Sequence, residues 1–420
     1  MFGDRHVIVV DLGFGDAGKG ATVDWLCSPQ AGLEVAAVVR FNGGAQAAHT
    51  VIADGRRHTF RQFGSGTLSG VPTVLSRHVL VDPIALAAEA EALAALGVAD
   101  PLGSIFVDER ALLTTPIHGA ANRCREDARG AARHGSCAMG IGETVRYALE
   151  HDAPRVRDCR SPDVLRRKLI ALERHYAPLL ARGRHGWEPI DALVEVYTEF
   201  ARTVALVPGE QLAVFAAAGR LVFEGAQGVL LDEWRGLHPY TTWSTVEPRH
   251  ARAMLARIGA PGTVLGVTRA YQTRHGAGPF PTEDTALAVP EPHNATGPYQ
   301  GVFRVGHLDP VLLRYAVEAC GGVDALAVNH LDLVAGRDDF RAAAGYFAPD
   351  GYRDRIDCGA WRDLGHQRWL TGLLAQSTPD LVPLPADVPE FLACRLGAPV
   401  VLTGHGPDRA DRVARVAAAA

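Results

Sequence analysis

The run His6-Val7-Ile8-Val9-Val10-Asp11-Leu12, continued by Gly13-Phe14-Gly15-Asp16-Ala17-Gly18-Lys19-Gly20, decides how this chain is read. Its first part is short, apolar and rich in β-branched residues, which predicts a strand buried on both faces, as in a parallel sheet. The glycines then force a turn, and a helix follows through Val23 to Cys27. Gly13 to Lys19 fits G-x-x-x-x-G-K, although Gly20 stands where a P-loop carries Ser or Thr. Backbone N–H groups in such a turn bind phosphate together with the helix N-terminus, glycine lets the backbone come close, and lysine adds a point charge. Asp16 is unexpected there, because a carboxylate repels phosphate unless it holds Mg²⁺ or takes a proton. A ligand-free turn would use the same glycines. Lys19 separates the two readings: the chain has only two lysines, Lys19 and Lys168, against a background of arginine. Lys19 itself reads as an exposed loop residue that contributes little to stability.

Outward from the turn, strand and helix signals alternate. Residues 35–40, 72–77 and 104–108 read as strands. Asp82 as N-cap with Pro83 at the first helical position opens a helix that runs to Leu96 and stops at Gly97. Strand signals return at 221–223, 264–271, 325–328 and 399–402. This alternation predicts an α/β fold with a mostly parallel sheet. Residues 116–207 are mainly helical, with polar breaks near 135–142 and 152–162, and read as a helical insertion or subdomain. No internal repeat or low-complexity linker is visible, and the Ala-rich C-terminus is expected to fray.

The 420 residues, 47% hydrophobic and 21% charged, suit a globular protein with one large core or two domains. A net charge of -5 provides no field for nucleic acid or an anionic membrane. No run approaches ~18 apolar residues, so no membrane span is expected, and the first residues lead into a strand rather than a signal-peptide core. The seven cysteines are dispersed and contain no C-x-x-C. That argues against a disulfide framework or zinc site and for a reducing, cytoplasmic setting.

Five segments, in order, resemble the adenylosuccinate synthetase family. Gly15 to Gly20 resembles its G-D-E-G-K-G loop, and Arg40-Phe41-Asn42-Gly43-Gly44-Ala45-Gln46-Ala47-Ala48-His49-Thr50 its R-Y-Q-G-G-H-N-A-G-H-T. Phe223-Glu224-Gly225-Ala226-Gln227-Gly228, with Pro239-Tyr240-Thr241-Thr242 beyond it, resembles F-E-G-A-Q-G and P-Y-V-T. Thr273-Arg274-His275-Gly276-Ala277-Gly278-Pro279-Phe280-Pro281-Thr282-Glu283 is similar to T-R-V-G-A-G-P-F-P-T-E, and Gly406-Pro407-Asp408-Arg409 matches G-P-D-R. The resemblance spans essentially the whole chain. It implies a single domain over 1–420: a large, mostly parallel central sheet flanked by helices, with a P-loop-like phosphate-binding turn after the first strand. It also implies a homodimer, Mg²⁺, GTP as co-substrate, and IMP and L-aspartate as the joined pair.

A lactam carbonyl is a poor electrophile toward an amine because its oxygen leaves badly; phosphorylating that oxygen supplies a leaving group. The resemblance implies that Asp16 removes the ring N–H proton and contacts Mg²⁺, while His49 is the acid that stabilises the phosphoryl in flight. Lys19 and the N–H groups around Gly15, Gly18 and Gly20 would stabilise the equatorial charge. Gln227 would hold the acceptor base, and Gly406 would belong to the nucleotide site. Val328-Asn329-His330-Leu331-Asp332 resembles a segment ending T-K-L-D that reads guanine. A carboxylate at Asp332 can accept from both guanine N1–H and N2–H₂, which adenine cannot offer, and His330 stands at the lysine that packs on the base. Glu224 is left outside the catalytic set, as a residue that pairs with a buried group.

The departures gather on the recognition side. Ala17 replaces the loop glutamate, Ala45 a histidine, and Gln46 an asparagine that contacts the nucleotide. Ala48 replaces a glycine whose backbone carbonyl binds Mg²⁺, so its side chain matters little. Cys137 stands at a threonine that binds the 5′-phosphate and Met139 at an arginine, while Thr242, another phosphate contact, is kept and is followed by Trp243. In Gly301-Val302-Phe303-Arg304-Val305-Gly306-His307-Leu308-Asp309 the family has G-R-x-R-R-x-G-W-L-D, whose arginines hold aspartate; only Arg304 remains. Each lost charged hydrogen bond costs on the order of 1.5–3 kcal/mol. The sequence therefore predicts intact phosphoryl-transfer residues but weak activity with IMP and aspartate, unless arginines such as Arg146 or Arg155 supply replacement contacts. The alternatives are the IMP–aspartate ligase, the same mechanism on another acceptor or amine in specialised nucleoside metabolism, and a GTP-binding protein without catalysis. Asp16 and His49 count against the last.

Overall fold

The computed structural model describes residues 2–415 except 131, 132, 134, 182 and 291–298; the C-terminal residues expected to fray lie outside the described residues. Ten strands form one sheet, in the order Arg412–Ala414, Val400–Gly404, Ala325–Asn329, Gly262–Arg269, His6–Asp11, Arg220–Gly228, Val35–Arg40, Thr73–Leu75, Ile105–Asp108, Ala205–Val207. Every pairing is parallel except that of the edge strand Arg412–Ala414. All six residues of His6–Asp11 are buried. Their side chains alternate between two layers: Ile8 and Val10 join Phe223, Leu312 and Leu313, while Val7 and Val9 join Val23 and Leu26 of the helix Lys19–Leu26. Each such burial stabilises by roughly 1.5–3 kcal/mol, which is why the apolar run specifies the central strand.

The strands of residues 35–40, 73–75, 105–108 and 205–207 lie to one side of the first strand, and those after residue 262 lie to the other. The order therefore reverses at His6–Asp11, and the crevice beyond the carboxyl ends at such a switch point is where open α/β sheets bind ligands. The glycine turn opens there. Helices Pro116–Arg129, Ile141–Glu150, Pro162–Leu180 and Ile190–Thr203 follow one another in the stretch read as helical. Ile117, Leu165, Leu169, Leu172, Leu193 and Tyr197 pack from them onto Ile105 and Val107. Their apolar residues recur at helical spacing.

Three antiparallel pieces had no sequence signal. His49–Ala53 pairs with Arg56–Phe60, Gln272–His275 with Phe303–Gly306, and Arg341–Ala348 with Gly351–Arg353 and Thr378–Pro383. They are polar, alanine-rich or half-exposed, so neither alternation nor β-branched enrichment marks them. Two of them deliver His49 and His275. Among the described residues no helix is long and apolar enough to cross a membrane.

Candidate active site

The glycine turn is organised from below by a residue outside the motif. Asp11, fully buried at the end of the first strand, accepts from Gly13 N at 2.8 Å, Ala17 N at 3.0 Å and Lys19 Nζ at 2.8 Å. Lys19 is 4% exposed, which corrects the expectation of an exposed lysine with little part in stability. Gly18 opens the helix in the left-handed region, and Asn329 Nδ2 donates to the Ala17 carbonyl. A Cβ on Gly20 would stand 2.6 Å from the His49 Cβ. That close approach explains why the Ser or Thr of a P-loop is missing. Removing one partner of a buried ion pair costs about 3 kcal/mol or more. Lys19→Ala is therefore expected to lower stability as well as activity, and Asp11→Asn added to it to recover stability but not activity. Thermal melting beside phosphate release checks this; an unchanged melting temperature in Lys19→Ala would put the lysine back on the exposed face of the loop.

Asp16 holds φ +57, a conformation costly for a non-glycine residue and usual at sites whose surroundings enforce it. Its side chain, 32% exposed, faces a cavity of about 1010 Å³, and His275 Nε2 stands 3.5 Å from its Oδ2. Across the cavity His49 Nδ1 lies 2.6 Å from Glu224 Oε1. Glu224 is fully buried and accepts from Ser65 N at 3.0 Å and Ser65 Oγ at 2.5 Å. Burial pushes the Glu224 carboxyl up, but Arg40 and His49 overcome this and hold it at about 2. It is thus an acceptor only, so Nδ1 of His49 carries a proton and Nε2 is left for a ligand. Burial lowers the His49 pKa, and Glu224 opposes that shift.

Gln227 also sits at positive φ, +60, and its buried Oε1 has no hydrogen-bond partner; neither does either amide atom of Gln46. A Cβ on Gly43 would lie 3.5 Å from both Gln227 Oε1 and Gln46 Nε2, so the two amides converge. Cys137, Met139, Thr242, Trp243 and Arg146 stand in the same wall, with the Arg146 guanidinium 5.4 Å over the Trp243 ring. Gly15, Gly18, Gly20, Ala48, His330 and Gly406 line the cavity too. Asp332 does not: it is exposed on the turn two residues beyond His330, within electrostatic reach of the cavity residue Arg412. Arg304 is also outside the wall. It donates to Glu283 through Nε at 2.8 Å and Nη2 at 2.5 Å, and to the Gly276 and Gly278 carbonyls. Sequence reasoning missed Asp11 as the organiser of the turn, for which a carboxylate closing the central strand was the signal present, and read Glu224 as pairing with a buried group, as it does, without finding that the group is His49.

Among the described residues no group of three His, Cys, Asp or Glu side chains could hold a metal unaided. Beside the glycine turn the cavity offers instead the partly exposed carboxylate of Asp16 and the backbone at Ala48. Hard oxygen donors of this kind suit Mg²⁺, which is commonly held by one or two carboxylates and completed by substrate phosphates and water.

A P-loop-like glycine turn at the switch point of a parallel sheet, facing a carboxylate, a carboxylate-tied histidine and two unspent amides, is the architecture of a nucleotide-dependent phosphoryl-transferring enzyme. The chain belongs to the adenylosuccinate synthetase family, whose model matches residues 8–413. It is 32% identical to the adenylosuccinate synthetase of Acidithiobacillus ferrooxidans, over 98% of this chain and 99% of that one. It is 31% identical to that of Neisseria meningitidis serogroup C, over 97% and 98%. In structure it resembles the fully ligated adenylosuccinate synthetase of Plasmodium falciparum, with TM-score 0.82 and 19% identity over 98% of this chain and all of that one. It also resembles the cyanophage S-2L succinoaminodeoxyadenylate synthetase bound to dGMP and dATP, with TM-score 0.57 and 17% identity over 98% and 95%. The protein is therefore a GTP-dependent ligase that forms a carbon–nitrogen bond.

Proposed function

We propose that the chain phosphorylates the 6-oxo group of IMP or a related purine nucleotide or nucleoside and couples that carbon to an amino acid other than aspartate. Asp16 removes the ring N–H proton while Gln227 and Gln46 hold the purine edge. The oxygen takes the γ-phosphoryl of GTP beside His49 and Lys19, with GDP leaving, and the amine then attacks the ring carbon, gives up a proton and displaces phosphate. Mg²⁺, held by Asp16 and the Ala48 carbonyl, would neutralise charge developing on the phosphates. The observation that carries this reading is the contrast between the two halves of the site. Asp16, His49, Lys19 and Gln227 share one cavity, whereas Arg304, the one arginine kept in its loop, is closed on Glu283 outside the wall. The cyanophage enzyme is bound to dGMP, so the fold itself accommodates other purines.

The second reading is the IMP–aspartate reaction, favoured by 32% identity over nearly the full length to a protein with that name. Phosphate release with GTP, Mg²⁺, IMP or inosine and a panel of amino acids separates the two. Micromolar Michaelis constants for IMP and aspartate at ordinary turnover would establish the second. GTP is expected to be preferred over ATP through Asp332. Asp332→Asn should weaken GTP by about tenfold, the value of one charged hydrogen bond, and relax the preference. Equal use of ATP and GTP by the native protein would remove Asp332 from base recognition.

A further inference from the structure

The strands Gln272–His275 and Phe303–Gly306 pair in a register that sets His275 opposite Phe303 and Arg274 opposite Arg304. His275 stands at the valine of T-R-V-G, and Phe303 lies in the segment from which the family's arginines are missing. The two residues touch: their rings meet near edge-to-face, 4.7 Å between centroids. With Phe303 behind it, the imidazole stands in the cavity wall, Nε2 3.5 Å from Asp16 Oδ2.

The guanidinium groups around this hairpin are engaged elsewhere. Arg304 is spent on Glu283 and two carbonyls. Arg274, 1% exposed, donates to the Ala277 and Pro279 carbonyls and lies 4.3 Å over the Phe14 ring. Arg129, from the facing helix, is tied to the buried Glu126. Among the described residues the hairpin thus offers one imidazole where bidentate guanidinium contacts would hold a dicarboxylate.

We propose that His275, backed by Phe303, forms the amine subsite, and that the nucleophile is a monocarboxylic amino acid or simple amine lacking the second carboxylate of aspartate. The proposal rests on the ligase reading above. Asp16 takes the N–H proton next to the carbon that is attacked, so a group 3.5 Å from Asp16 borders the path of the incoming amine. His275 supplies one hydrogen bond to orient it. A second carboxylate brought there would crowd the Asp16 charge, while the hairpin's own guanidinium groups, Arg274 and Arg304, are already spent on backbone carbonyls and Glu283.

The test uses the full-length protein with GTP, Mg²⁺, and IMP or inosine. Oxygen-isotope scrambling within GTP, without amine, reports phosphorylation of the acceptor. Coupling is then followed with L-aspartate, L-asparagine, L-alanine and ammonium. Expected is a kcat/KM for at least one of the last three about tenfold or more above aspartate, the scale of one charged hydrogen bond. His275→Val should raise the KM of that amine about ten times more than it changes the scrambling rate, and His275→Gln, which keeps hydrogen-bonding capacity, should restore most of the loss. Aspartate as the best amine would overturn the proposal, as would an amine KM that moves no more than the scrambling rate in His275→Val. Both outcomes leave GTP-dependent phosphorylation of the acceptor and the ligase chemistry intact, although aspartate as the best amine would establish the second, IMP–aspartate reading. Absence of scrambling with either acceptor strikes the ligase reading itself, and this proposal with it.

Discussion

Asp16→Asn is expected to bind GTP as the native protein does and to turn over ~10²-fold more slowly or worse, the usual value of a positioned general base. The substitution tests chemistry rather than folding for two reasons. Asn tolerates the left-handed conformation that Asp16 holds at φ +57. The contacts that shape the loop, from Asp11 to Gly13, Ala17 and Lys19, do not pass through the Asp16 side chain. An amide keeps the size of the carboxylate but cannot take the ring proton. Calorimetric binding of GTP and phosphate release on the same preparation check both halves. Turnover within a few-fold of native would remove Asp16 from the mechanism.

The parts of the molecule legible in the sequence were those set by local periodicity. Val7 to Val10 had to be a doubly buried strand, and Gly15 and Gly18 had to follow it as a turn into a helix; both stand as expected. The resemblance supplied the family and, with it, the sheet's full extent. Unreadable were the pairings between residues far apart in the chain. His49 and Glu224 are 175 positions apart, and nothing near either residue announces the other. His275 reads as one substitution in a well-matched motif until the hairpin register sets it against Phe303. Lys19 was misjudged because a loop lysine is normally exposed, and only the strand-end carboxylate of Asp11 beneath it makes its burial possible. Arg304 kept its identity but not its freedom, because Glu283 takes both edges of its guanidinium.

Glu224→Gln should be the most damaging single change to a residue that need not touch substrate. The carboxylate is fully buried beside His49 and Arg40, and breaking a buried pair costs about 3–5 kcal/mol. Its loss also removes the interactions that oppose the burial-driven fall in the His49 pKa. The imidazolium that would donate to a phosphoryl group is then harder to form, so turnover should drop by ~10²-fold or more. The pH dependence has a definite sign. Glu224 titrates at about 2 in the folded chain against an ordinary 4.5, so its stabilisation is complete above 4.5 and is lost as pH falls toward 2. His49, lowered from 6.5, adds a loss of the same sign below pH 6.5, because the unfolded chain binds that proton more readily. Melting curves from pH 7 down to 2 should therefore slope more steeply for the native protein than for Glu224→Gln between 4.5 and 2. Parallel slopes, or near-native turnover in the variant, would reduce Glu224 to a packing residue and leave the orientation of His49 to the hairpin that carries it.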